Sequence, residues 1–267
     1  MDHPNLMAKS SAKKAAKSSG IKPVKTVTSK EELTARNFIR QMNLFQSNAE
    51  REKLQRYFKS GEGEYGEGDE FMGIRMGQLF QLAKAFIDMP VKELDKLLDS
   101  KIHEVRAGAL SIMDKQARSK KISGQLRKEL YDLYMDRIDR INNWDLVDVS
   151  AIYVVGAYLF DKPRNVLYKM ARSKNMWERR TAIVSTAYFL KHGDSEDTFK
   201  IAQILLNDKE DLIHKAAGGW IRQAGKGNRA RLISFLNEYA PIMPRTMLRY
   251  AIEHLDKKQK EHYMNMK

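Results

Sequence analysis

The residues best suited to chemistry lie in Asn142–Asp148, NNWDLVD, which sets Trp144, Asp145 and Asp148 where a helix begins. Asn142 or Asn143 suits the cap of that helix, and Asp145 in its first turn suits the helix dipole. Asp148 has less of a structural duty. Positions 144 and 148 are one helical turn apart, so Trp144 and Asp148 share a face. An aromatic plane beside a carboxylate can stabilise a cationic species by cation–π attraction and charge pairing together. On these residues alone, a capped helix packed into a core is the plainer account.

Other chemical signatures are missing from the sequence. No Gly-rich loop is followed by Lys-Ser/Thr, so the P-loop of a nucleotide hydrolase is absent. There is no HExxH and no G-x-S-x-G elbow. The segment GEGEYGEGD, which ends at Asp69, resembles a nucleotide loop only superficially, because no strand precedes it. His3, His103, His192, His214, His254 and His262 show no ligand spacing and read as surface histidines, and there is no cysteine to bind zinc or form disulfides. No metal or other cofactor is expected.

Charge points to the partner. The chain carries 48 Lys and Arg against 34 Asp and Glu, a formal net charge of +14 over 267 residues. Such a balance favours polyanions, nucleic acid first and an anionic membrane second. No apolar run approaches the ~20 residues of a spanning helix, and the start lacks a secretory apolar region. A cytoplasmic protein, not bound to a membrane and monomeric, is the expectation. Residues 1–30 hold seven lysines against Asp2, or +6, and little to bury. A disordered basic tail is expected there. The remaining +8 (14 minus 6) belongs to residues 31–267, read as a single domain.

The elements that must position these residues are helices. Ser29 with Glu32, and Ser47 with Glu50, have capping-box spacing. Phe38, Met42 and Phe45 form one apolar stripe, and Leu79, Leu82 and Phe86 another. Leu94, Leu97 and Leu98 follow Pro90, where a helix should start or break. The irregular segment is 61–73, GEGEYGEGDEFMG, read as an extended loop or a small hairpin.

A weak repeat runs through this helical body. EVRAGAL, RRTAIV and HKAAGG each place a basic residue, Arg106, Arg180 or Lys215, before small residues. The separations, 74 and 35 residues, are close to two units and one unit of a single period. A period of roughly 35–45 residues reads as stacked helix pairs. The fold class expected is all-α, a HEAT-like or armadillo-like α-solenoid of antiparallel helix pairs. The repeated basic residues would line one concave basic face.

Several segments together resemble the AlkD-type DNA alkylation repair proteins, which are HEAT-like solenoids. They are RYFKS (56–60), FMGIRMGQL (71–79), EVRAGALSIM (104–113), NNWDLVD, WERRTAI (177–183) and KAAGGWIRQ (215–223). The likeness runs from about Gln55 to Leu255, most of the folded chain. It implies a DNA glycosylase of the 3-methyladenine/7-methylguanine type, a hydrolase that excises N3- and N7-alkylated purines from duplex DNA. By the resemblance, Asp148 matches the catalytic aspartate and Trp144 a tryptophan that packs on the sugar-phosphate of the lesion. Arg180 and Arg222 match arginines on the DNA backbone, and Tyr57 a tyrosine near the DNA. Arg179 and Lys215 join them as basic DNA-binding candidates.

One position departs from the family pattern. A second site tryptophan is replaced by Gly219, with Trp220 one residue later and about 100° around the helix. Related proteins without glycosylase activity bind branched DNA, some with an inserted hairpin. Two readings follow: a glycosylase for alkylated purines, or a non-catalytic binder of branched or damaged DNA. A protein-binding scaffold stands third.

Overall fold

A computed structural model describes residues 32–266. Among them the chain is helical throughout, with no strand. The helices are α1 Ala35–Met42, α2 Asn48–Tyr57, α3 Met76–Ala85, α4 Val91–Leu98, α5 His103–Ala117, α6 Gly124–Asp136 and α7 Trp144–Ala151. A π-helical segment, Ile152–Gly156, runs straight into the short α8, Ala157–Leu159. There follow α9 Asn165–Met170, α10 Met176–Lys191, α11 Glu196–Ile204, α12 Asp211–Gly227, α13 Arg229–Tyr239, α14 Arg245–Ala251 and α15 Lys257–Asn265. No helix among the described residues is long and apolar enough to cross a membrane.

The starts of these helices follow local chemistry. Side chains of Thr34, Ser47, Ser123, Asn143, Asn175, Asn228 and Asp256 each accept a backbone N–H in the first turn that follows. Pro90 stands immediately before α4. Ser47 acts as its spacing predicts, but the Glu50 carboxylate turns outward to Arg75 and Lys53. Ser29 and the tail of residues 1–30 lie outside the described residues.

Packing follows chain order. α5 lies against α3, α4 and α7; α7 lies against α10, α10 against α12, and α12 against α14. The helices α5, α7, α10 and α12 begin at residues 103, 144, 176 and 211, spaced 41, 32 and 35. That spacing is the period read from Arg106, Arg180 and Lys215, with α7 as the unit the sequence repeat skips. Every residue of α5 except Lys115 is buried, so this helix is covered on all sides. Helix α12 approaches α14 closely because position 218 is glycine. A Cβ there would stand 2.4 Å from the Met247 carbonyl oxygen.

The segment after α2 forms neither strand nor hairpin. It is a string of turns, tied to the start of α5 by a single parallel bridge between Glu70 and Ile102. The buried Glu104 carboxylate accepts the N–H groups of Met72, Gly73 and Ile74 at 3.1, 2.8 and 3.2 Å. Gly73 has φ +80°, and a Cβ there would sit 2.0 Å from the Ser47 carbonyl oxygen. Only glycine meets both conditions.

Candidate active site

Helix α7 starts on Asn143, whose side-chain oxygen accepts the Trp144 N–H at 2.8 Å. Asn142 serves elsewhere, accepting from Arg106 at 3.0 Å. The Trp144 ring meets Tyr57 edge-on at 5.9 Å and Phe58 at 5.7 Å. Beside it, the Tyr65 hydroxyl donates to the Tyr57 carbonyl at 3.5 Å. Tyr65 in turn stands edge-on to Trp177 at 6.1 Å. The Gly-rich segment therefore inserts one tyrosine between the starts of α7 and α10. Tyr57 keeps 43% of its surface exposed, at the outer edge of this aromatic group.

One turn further along α7 stands Asp148, with its side chain 40% exposed. Buried Arg180 grips it in a two-pronged fork, Nε to Oδ1 at 2.9 Å and Nη2 to Oδ2 at 2.8 Å. The third nitrogen of Arg180 donates to the Leu212 carbonyl at 2.8 Å. Such a planar fork fixes the plane of the carboxylate as well as its position. The arginine is anchored from below by α12 and the carboxylate faces solvent above it. The pair is a fixed dipole with its negative end outward, beside an aromatic surface.

The remaining basic candidates have internal partners. Arg179 forks onto Asp208 at 2.5 and 3.1 Å and braces the carbonyls of Ser173 and Lys174. Lys215 pairs with Asp211 at 2.7 Å, and Arg222 with Glu253. Arg106 departs most from expectation. It lines no open face; it is buried at 2% exposure and bonded to Asp69 at 2.6 Å. A basic residue at that repeat position has been drawn inward by a carboxylate from the Gly-rich segment.

That carboxylate belongs to a buried network under Trp144. His103 places Nδ1 3.0 Å from Asp69 and Nε2 2.9 Å from Asp145. Burial alone pushes the His103 pKa down. The charge of Asp145, hydrogen bonds to Asp145 and Asp69, and the charge of Asp69 outweigh it, lifting the pKa to about 9. Phe58 and Phe71 flank the imidazole at 4.6 and 5.2 Å. Burial works against the charge of Asp69, but His103 and Arg106 hold it below the usual carboxylate range. This charged staple fastens segment 61–73 to the first turn of α7.

Position 219 faces open space: a Cβ there would meet nothing within 4 Å. The neighbouring Trp220 is half-buried, its ring packed against the core. Of the residues singled out in the sequence, Trp144, Asp148, Arg180 and Tyr57 come together in one region. Arg179, Lys215 and Arg222 are engaged in other ion pairs. Tyr65 and Asp69 were not singled out, their signal being a lone tyrosine and a closing aspartate among glycines, and His103, expected at the surface, is fully buried between two carboxylates.

The fold and site together define an all-helical array with an arginine-held carboxylate one turn from a half-buried tryptophan, whose neighbour Tyr57 is exposed. The chain belongs to the family of DNA alkylation repair enzymes, whose sequence model matches residues 38–255. Among solved structures, a predicted DNA alkylation repair enzyme from Enterococcus faecalis is similar in fold, with a TM-score of 0.63 and 18% identity over 80% of this chain and 98% of that one. No curated protein sequence matches this one.

Proposed function

We propose that this chain is a DNA glycosylase that hydrolyses the N-glycosidic bond of N3- and N7-alkylated purines in duplex DNA. The observation that carries the reading is Asp148, exposed, forked by Arg180 and one turn from Trp144. Alkylation at N3 or N7 makes the purine cationic, so the base leaves without an acid from the protein. Its departure puts positive charge on the sugar. A carboxylate whose orientation is already fixed lowers the energy of that charge and can orient the attacking water. Arg180 keeps the carboxylate from rotating away, and the Trp144–Tyr57 surface supports the sugar and its cation. The test is incubation of the protein with methylated duplex DNA. Release of 3-methyladenine or 7-methylguanine above the spontaneous rate is expected; no release contradicts the proposal.

A second reading has its own observation. Position 219, where the family pattern has a second ring, is glycine and its side-chain space is open. A non-catalytic binder of branched DNA would need no second ring. That reading expects tighter binding to a junction than to plain duplex at one salt concentration, and loss of that preference when residues 61–69 are shortened. Equal affinities contradict it.

A further inference from the structure

Arg179, Arg180, Lys215 and Arg222 are each held in ion pairs, whereas Lys115 and Lys191, towards the far end of α5 and α10, are not. At the close of α5, the Arg118 guanidinium lies 3.9 Å from the Tyr153 ring centre. At the close of α10, the Lys191 ammonium lies 4.5 Å from the same ring and donates to its hydroxyl at 2.8 Å. Tyr153 is carried by the π-helical segment, a form that recurs at functional sites. Lys115 lies 5.4 Å over Phe80, within electrostatic reach of Lys84 and Arg118. The carboxylate acting on Lys115 is Asp114, which Arg118 holds at 2.6 Å. Among the described residues, Lys84, Lys115 and Lys191 form no ion pair. Burial pulls Lys115 below its ordinary pKa, and the charges of Arg118 and Lys84 add to the fall against the pull of Asp114.

We propose that Lys115, Arg118 and Lys191, gathered around Tyr153, form a second phosphate-binding surface that holds the DNA backbone at a distance from Asp148. Arg180 and Lys191 are both on α10, eleven residues apart. Eleven residues return to within about 20° of the same helix face and rise about 16 Å. A duplex with a major groove about 12 Å wide presents phosphate rows on this scale. Cations occupy the Tyr153 ring, so the surface suits phosphates better than stacked bases. The large exposed apolar side chains, Leu44, Tyr57 and Ile242, lie outside the cluster, which argues against insertion into lipid. Binding of this kind is independent of base sequence and of damage.

The inference rests on DNA being the partner, but not on catalysis, and the experiment separates the two. Fluorescence anisotropy of the full chain is titrated with methylated and unmethylated duplex over a range of salt concentrations. Wild type is compared with Lys115→Gln/Lys191→Gln, Lys115→Arg/Lys191→Arg and a control, Lys92→Gln/Lys257→Gln, with thermal melting confirming that each is folded. Every phosphate that is no longer neutralised takes about 0.9 from the slope of log K against log salt. The Gln pair is expected to flatten the slope by about 2 on both duplexes, the Arg pair and the control to keep it. A wild-type slope in the folded Gln pair overturns the surface, whatever the glycosylase assay reads. Wild-type binding to anionic vesicles with none to duplex overturns it equally.

Discussion

Arg180 works on Asp148 through geometry as much as charge. Two parallel bonds fix the carboxylate plane, and a third bond fixes the arginine to α12. Lysine would retain the charge and lose the fork. Arg180→Lys is therefore expected to leave DNA affinity within a few-fold and to lower the single-turnover rate of base release by about tenfold or more. Rapid-quench kinetics beside a binding titration measures both. Asp69 is a different case, because its partners are buried cations. Asp69→Ala takes away the carboxylate paired with buried Arg106 and leaves His103 with Asp145 alone, which costs about 3–5 kcal/mol. Urea unfolding should read that loss; a change under about 1 kcal/mol, the range of exposed pairs, contradicts a buried charged network at this position.

At the scale of elements, segment 61–73 and the start of α7 behave as one unit because His103 is charged between Asp69 and Asp145. The folded pKa, about 9, lies above the ordinary value of 6.5. The stabilisation is thus complete below about pH 6.5 and is lost as pH rises through 9. It amounts to roughly 3 kcal/mol. Stability measured by urea unfolding between pH 7 and 10 should fall in wild type, and His103→Gln should remove most of that dependence. Helix α12 allows a paired test. Gly219→Ala adds a methyl group in open space inside a helix and should stabilise by about 1 kcal/mol. Gly218→Ala meets the Met247 carbonyl and should destabilise; melting temperatures distinguish the two.

The helices were legible in the sequence because their apolar stripes and caps are local. Leu79, Leu82 and Phe86 are all fully buried, as their spacing predicts. The Trp144–Asp148 face was legible for the same reason, being one turn of one helix. The Arg180–Asp148 fork was not, since it joins residues 32 positions apart on different helices. Arg106 shows the limit most plainly: the repeat gives its position on α5, while its direction depends on Asp69, 37 residues away. The Gly-rich segment offered no periodicity at all, so Tyr65 and Asp69 carried no signal beyond their residue type.

For the whole molecule, the net charge of +14 gains a distribution. The basic residues expected to meet DNA, Arg179, Arg180, Lys215 and Arg222, are paired within the protein. Unpaired lysines gather with Arg118 and Tyr153 at the other end of α5 and α10. Affinity and chemistry should therefore separate: salt weakens binding through the far surface, while base release depends on Asp148. The most direct measurement is the single-turnover rate of 7-methylguanine release from methylated duplex at saturating protein, wild type against Asp148→Asn. Asparagine keeps the shape and removes the charge. Measurable release is expected from wild type, with a fall of about 100-fold or more in the variant and duplex affinity unchanged. Equal rates would contradict the role given to Asp148.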